Sequence, residues 1–182
     1  DALLEQYDVV MLPENYKAQW VATGGAKRYG ELVKNVLERG GSVCSFANVN
    51  GIANNSGIIV DTVAKLAGAT WDRVNPIPED RKRATFGDAR QITTAEIMPS
   101  ELTEDVRSVA LYTGSPFRFF NKTYANNTVV LSCKRPVMIA AEVGKGRLFV
   151  SADAMFGQPL RIEEADNASL VANIAGWLLR EP

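Results

Sequence analysis

The sequence predicts an α/β fold of three layers, with a mainly parallel central sheet closed by a C-terminal antiparallel hairpin. Three observations carry that expectation. Short apolar runs alternate with amphipathic helical stretches in the first third of the chain, the order that builds a parallel sheet. Two apolar runs near the C-terminus are joined by Gly144-Lys145-Gly146, a connection suited to a hairpin. The length of 182 residues fits one domain, enough to bury about two-thirds of the unfolded surface.

Residues 7–12 (Tyr-Asp-Val-Val-Met-Leu) form the first strand, nearly continuous in apolar character as a strand covered on both faces should be. Pro13-Glu14-Asn15 ends it. A helix is expected over residues 26–39, where Tyr29, Leu32, Val33, Val36 and Leu37 share one face and Gly40-Gly41 supplies the stop. A second buried strand follows at residues 42–46. Residues 48–56 make an Asn- and Gly-rich loop, and residues 58–66 a helix stopped by Gly68. The stretch 73–90 has the look of a solvated excursion, with Pro76, Pro78 and mixed charges over residues 79–83. Strands are expected at residues 106–112, 128–133, 137–143 and 147–152. A closing helix spans residues 168–180, with Leu170, Val171, Ile174, Trp177 and Leu178 as its apolar stripe and Asp166 or Asn167 as its cap.

The composition removes several functions. The chain has no His, so it cannot assemble a Ser-His-Asp or Cys-His nucleophilic site or a His-containing zinc site. The formal net charge is -1, which argues against nucleic acid as a partner, because neutralising phosphates requires a basic face. No apolar run reaches the roughly 18 residues that a membrane-spanning helix needs. No metal or cofactor is expected.

The strand at residues 7–12, its helix and the run Glu38-Arg39-Gly40-Gly41-Ser42-Val43 resemble the class I glutamine amidotransferase-like superfamily. Residues 136–153, a strand, a Gly-Lys-Gly-Arg turn, a second strand and Asp153, resemble its non-catalytic branch. That branch includes gliding-motility and intraflagellar-transport type domains and amidotransferase-like domains of secreted multidomain proteins. The closing helix, with Asp166-Asn167, Asn173-Ile174 and Trp177-Leu178, is similar as well. The resemblance implies a flavodoxin-like, amidotransferase-like fold over residues 1–182, in a chain lacking the superfamily's first strand-helix-strand unit. The expectation is that these residues are the C-terminal portion of a longer polypeptide; were Asp1 the true start, the sheet edge would be unprotected and a strand from a partner could cover it.

Catalytic members use a Cys nucleophile on a tight strand-to-helix turn. Cys44 instead lies within an apolar run, without a Gly-x-Cys-x-Gly elbow, and is expected to be a buried structural thiol. A disulfide with Cys133 is the weaker alternative. In open α/β sheets ligands bind beyond the carboxyl ends of the strands. That edge is expected to carry Glu14, Asn48, Asn50 and Asp153, whose oxygens and amides suit a sugar or a cation. Turn geometry and loop capping explain the same residues without a ligand. Gly24-Gly25 precedes a helix and is expected to be a linker. The aromatic cluster Phe117, Phe119, Phe120 and Tyr124 is expected to pack in the core or a hairpin, with an exposed patch as the alternative.

Asn-x-Ser/Thr sequons occur at Asn54, Asn121, Asn126 and Asn167 among 12 Asn, where chance gives about one. The first three fall in expected loops and are candidate glycosylation sites. A glycan on Asn167 would conflict with capping. Together these features predict a non-catalytic structural or recognition module of a secreted or cell-surface assembly. Its partners would be other protein subunits or copies of itself. The alternative is a carbohydrate-binding module, or a glycan hydrolase working through Glu14 and Asp153.

Overall fold

The computed structural model describes residues 7–12, 24–47, 56–72, 91–112, 116–153 and 161–180. Among these residues the central sheet has five strands, in the order β1 (Val9–Leu12), β2 (Ser42–Phe46), β9 (Gly146–Ser151), β8 (Arg135–Val143) and β7 (Thr128–Ser132). β1, β2 and β9 run parallel, and β8 and β7 continue the sheet antiparallel. The expected parallel sheet with a closing hairpin is present, and β7 extends it beyond β8, its antiparallel neighbour. Two short antiparallel pairs lie outside this sheet. β3 (Ala69–Trp71) pairs with β6 (Phe117–Phe119), and β4 (Gln91–Thr94) with β5 (Val109–Tyr112).

Alternation along β2 and β9 sorts their side chains between the two faces. Val43, Leu148 and Val150 face helices α1 (Gly25–Glu38) and α2 (Ser56–Ala64), which pack side by side. Cys44 and Phe149 face helix α3 (Asn167–Leu179), as does Arg147, whose Nη1 donates to Trp177 O and whose guanidinium lies 5.2 Å from the Trp177 ring centre. The result is three layers around a core that includes fully buried Leu37, Val43, Ile59, Ile139, Leu148, Phe149 and Leu170.

Gly146 sets the distance between α1 and the sheet. A Cβ there would meet Leu37 Cα at 2.7 Å and Leu37 O at 2.8 Å, and would come closer still to Gly41 O. The Gly144-Lys145-Gly146 connection therefore serves two ends. Gly144 takes the left-handed turn conformation, with φ +63°. Gly146 lets backbone approach backbone.

On α2, Asp61 Oδ1 accepts from Thr70 Oγ1 at 2.6 Å and from Trp71 N at 2.9 Å, and Oδ2 pairs with Lys65 Nζ at 2.8 Å. Partial burial pushes this carboxyl up, but the Lys65 and Thr70 hydrogen bonds and the Trp71 N–H outweigh it and hold it below the usual range. The carboxylate thereby ties α2 to β3.

Two local expectations are corrected. Cys133 is not inside a strand. Cys133 (φ +51°) and Lys134 (φ +60°) form the two-residue turn between β7 and β8, the left-handed pair that a tight hairpin of matching twist requires. Lys134 N donates to Glu96 Oε2 at 2.7 Å and so helps to hold that turn. Nor do Asp166 and Asn167 cap α3, since Asp166 at the N-cap makes no side-chain capping bond. Both side chains instead reach back to the chain at β5, Asp166 to the residues just before it and Asn167 to the strand itself. Asp166 Oδ2 accepts from Arg107 N and Ser108 N, each at 2.9 Å. Those two bonds hold its carboxyl below the usual range. Asn167, fully buried, accepts from Ala110 N at 3.0 Å and donates to Ala110 O at 3.1 Å and Arg161 O at 3.0 Å. An Asn amide has the acceptor and paired donors to satisfy both polar groups of one strand residue.

Candidate functional site

The parallel strands bring their carboxyl ends to one edge, since Leu12, Ser45 and Val150 stand in register across β1, β2 and β9. This is the edge at which Glu14, Asn48, Asn50 and Asp153 were expected. Of the four, Asp153 is described, while Glu14, Asn48 and Asn50 lie outside the described residues. Asp153 is buried just past β9. Its N donates to Ser151 Oγ at 3.1 Å, and Ser151 Oγ donates to Asp153 O at 2.6 Å. This reciprocal pair is a local side-chain turn that aims the chain as it leaves the sheet. Ser45, in the adjacent strand, is 1% exposed, and its Oγ has no hydrogen-bond partner among the described residues.

Cys44 is enclosed between β1 and β9 beneath α3, and burial pushes its thiol well above the usual range. A thiol in that state carries almost no thiolate and is not a nucleophile at neutral pH. Cys133 is half-buried at its hairpin turn, and both cysteines are free thiols. A thiol-directed reagent is accordingly expected to modify Cys133 and spare Cys44 in the native protein, and to modify both after denaturation. Modification of Cys44 in the native state at a comparable rate would contradict this.

The sequons divide sharply. Asn121 and Asn126 lie on the exposed 3-10 segment that leads into β7. Asn167 is inside the protein and fully engaged, so a glycan on it is incompatible with this fold. Asn54 lies outside the described residues. The aromatic cluster also divides. Phe117 is buried and Phe119 packs against the core, whereas Phe120 and Tyr124 are exposed.

A cavity of about 410 Å³ opens between β3, β6 and the start of β8, with Asp72, Phe117, Arg118, Phe119 and Arg135 among its walls. Arg118 Nη2 is 2.7 Å from Asp72 Oδ2. None of its described walls comes from β1, β2 or β9. The sequence singled out Phe117 and Phe119 as part of an aromatic cluster, but not Asp72, Arg118 or Arg135, because the walls converge from three distant segments. Among the described residues no group of three or more Cys, Asp or Glu is placed to hold a metal ion, and no helix is long and apolar enough to cross a membrane.

The fold and this edge define a three-layer α/β domain whose parallel strands end together. Solved structures share that architecture. The mmIFT52 N-terminal domain is similar over 97% of this chain and 79% of its own, with a TM-score of 0.69 and 12% identity. Cytoplasmic protein STM1381 from Salmonella typhimurium LT2 is similar over 94% of this chain and 72% of its own, with a TM-score of 0.66 and 11% identity. The β-galactosidase from Bacillus circulans sp. alkalophilus is similar over 97% of this chain but only 23% of its own, with a TM-score of 0.53 and 14% identity. No protein-family model matches the sequence, and no curated protein does.

Proposed function

We propose that this domain is a non-catalytic structural or recognition module of a secreted or cell-surface assembly, with other protein subunits or copies of itself as partners. The observation that carries the reading is the state of Cys44. The one thiol placed within the parallel sheet is buried and kept protonated, in a chain with no His to activate it. The likeness to the mmIFT52 N-terminal domain over nearly the whole chain supports it, because the sequence resembles the non-catalytic, intraflagellar-transport type branch. β1 offers a place for a partner. Among the described residues it pairs only with β2, and Tyr7 and Met11 at that edge are 52% and 67% exposed. An extended segment adding to such an edge gains main-chain hydrogen bonds. The secreted location rests on the sequons.

Light scattering on protein isolated from its native source tests the reading. The expected mass exceeds that of one natural polypeptide, read from the same sample under denaturing conditions, by that of bound subunits or further copies. A lone monomer at working concentration would count against a module of an assembly.

A second reading is favoured by the likeness to part of the β-galactosidase. It makes the domain a carbohydrate-binding or hydrolytic piece of a glycan-processing protein, with Asp153 as its carboxylate. The depth of Asp153 opposes direct contact with a sugar.

A further inference from the structure

Two stretches of one pattern stand end to end, Phe119-Phe120-Asn121-Lys122-Thr123 and Tyr124-Ala125-Asn126-Asn127-Thr128. Each sets an aromatic ring two residues before the Asn of a sequon and a Thr two residues after it. The structure docks this segment without using the Nδ2 amides of either sequon. Phe120 N donates to Gly68 O at 2.9 Å, and Asn127 Nδ2 donates to Ala67 O at 3.1 Å. Asn121 Oδ1 accepts from Thr123 N at 3.0 Å, which leaves its Nδ2 without a partner among the described residues. Asn126 is exposed, and its side chain likewise has no partner among them.

The two rings at that position differ: Phe119 packs against the core, whereas Tyr124 is exposed, and Phe120 is the exposed ring beside Asn121. Phe120 is 59% exposed and Tyr124 42%. Gly68, with φ +72°, allows the Tyr124 ring to lie flat upon it. A Cβ at Gly68 would fall onto that ring, nearly equidistant from Cγ, Cδ1 and Cδ2. One face of the ring is therefore seated on backbone, and the other is left to solvent. A seated, half-covered ring is a good platform for a pyranose, whose axial C–H bonds carry partial positive charge toward the electron-rich face.

We propose that Asn121 and Asn126 carry N-linked glycans, and that the exposed ring of Tyr124 holds the first sugar on Asn126 against the protein. The inference rests on the secreted reading above. The donor is a lipid pyrophosphate-linked oligosaccharide. A bond forms from Asn Nδ2 to C1 of the first N-acetylglucosamine as the C1–O bond to the pyrophosphate breaks. The lipid pyrophosphate leaves with the bonding electrons, and the amide proton passes to the transferase. The attached sugar then covers aromatic surface that is otherwise exposed to water.

The test uses the full chain secreted from a glycosylating eukaryotic cell line and trimmed by an endoglycosidase that leaves one N-acetylglucosamine per site. Peptide mass spectrometry reads occupancy. Thermal unfolding of the wild type, Tyr124→Ala, Asn126→Gln and the double variant isolates the coupling between ring and sugar. Tyr124→Leu, which keeps apolar cover on Gly68 without a ring, stands in if the Ala variant does not fold. The expected result is sugar on Asn121 and Asn126 and none on Asn167. The sugar at Asn126 should raise the unfolding midpoint by about 2–4 °C, and that gain should vanish without the Tyr124 ring. Occupied sites whose gain survives loss of the ring would overturn the stacking and leave the secreted reading standing. Bare Asn121 and Asn126 would overturn both.

Discussion

Gly146→Ala is expected to destabilise the domain by roughly 3 kcal/mol, at the upper end for overpacking in a close-packed core. For a chain of this size that lowers the unfolding midpoint by roughly 6–12 °C. The cause is space. Leu37 Cα and O and Gly41 O surround the position a Cβ would take, and all three are backbone atoms, which no rotamer change can move aside. To admit one methyl group, α1 must lift from β9 and lose contacts around Val36 and Leu37. Gly176 is the control. A Cβ there meets nothing within 4 Å, so Gly176→Ala in helix α3 should stabilise by about 0.5–1 kcal/mol. Denaturant melts of both variants decide the matter. Equal stability for Gly146→Ala and the wild type would refute this packing account of the hairpin.

Asn167→Ala is expected to cost about 3 kcal/mol, because it strands the buried N–H and C=O of Ala110 and the C=O of Arg161 at about 1 kcal/mol or more each. Asn167→Asp sharpens the test. It keeps the shape and the acceptor for Ala110 N–H, but sets a buried carboxylate against two carbonyl oxygens. Burial and those carbonyls favour the protonated form, so its folded-state pKa lies above its unfolded one. The penalty is therefore full at neutral pH and shrinks on acidification. The stability gap between Asn167→Asp and the wild type should narrow as the pH falls. A gap that widens would mean that Asn167 is not held as described.

Those two residues also show where sequence reasoning succeeds and stops. β2 was legible to the residue, and β1, β8, β9, α1 and α3 to within a few, because their burial is written as continuous apolar runs or helical spacing along the chain. The strands β3, β4 and β6 were missed. A strand of three or four residues has no period to detect, and its partner lies elsewhere in the chain, as Phe119 does for Ala69. Asp166-Asn167 read as a cap because caps are local. Its actual partners, Arg107 to Ala110, stand 57 to 59 residues away. Gly146 was recognised as part of a turn, but its contact with α1 depends on how a helix lands on the sheet. The carboxyl edge was legible in part. The parallel pairing of β1 with β2 could be inferred from alternation, and the structure shows it, whereas the parallel place of β9 beside β2 could not, because β9 follows a hairpin turn. The depth of Asp153 could not be foreseen, because burial past a strand end is set by the loops that cover it. The exposure of Tyr124 was foreseen only as the alternative for its cluster, and its seat on Gly68 was hidden, since that glycine stands 56 residues earlier in the chain.

The central claim is that the domain builds or binds and does not catalyse. Its most direct test is turnover by purified protein on a panel of chromogenic glycosides and on glutamine, beside Asp153→Asn and Cys44→Ala. The account predicts no hydrolysis above buffer for the wild type and the same baseline for both variants. Hydrolysis by the wild type that disappears in either variant would contradict it.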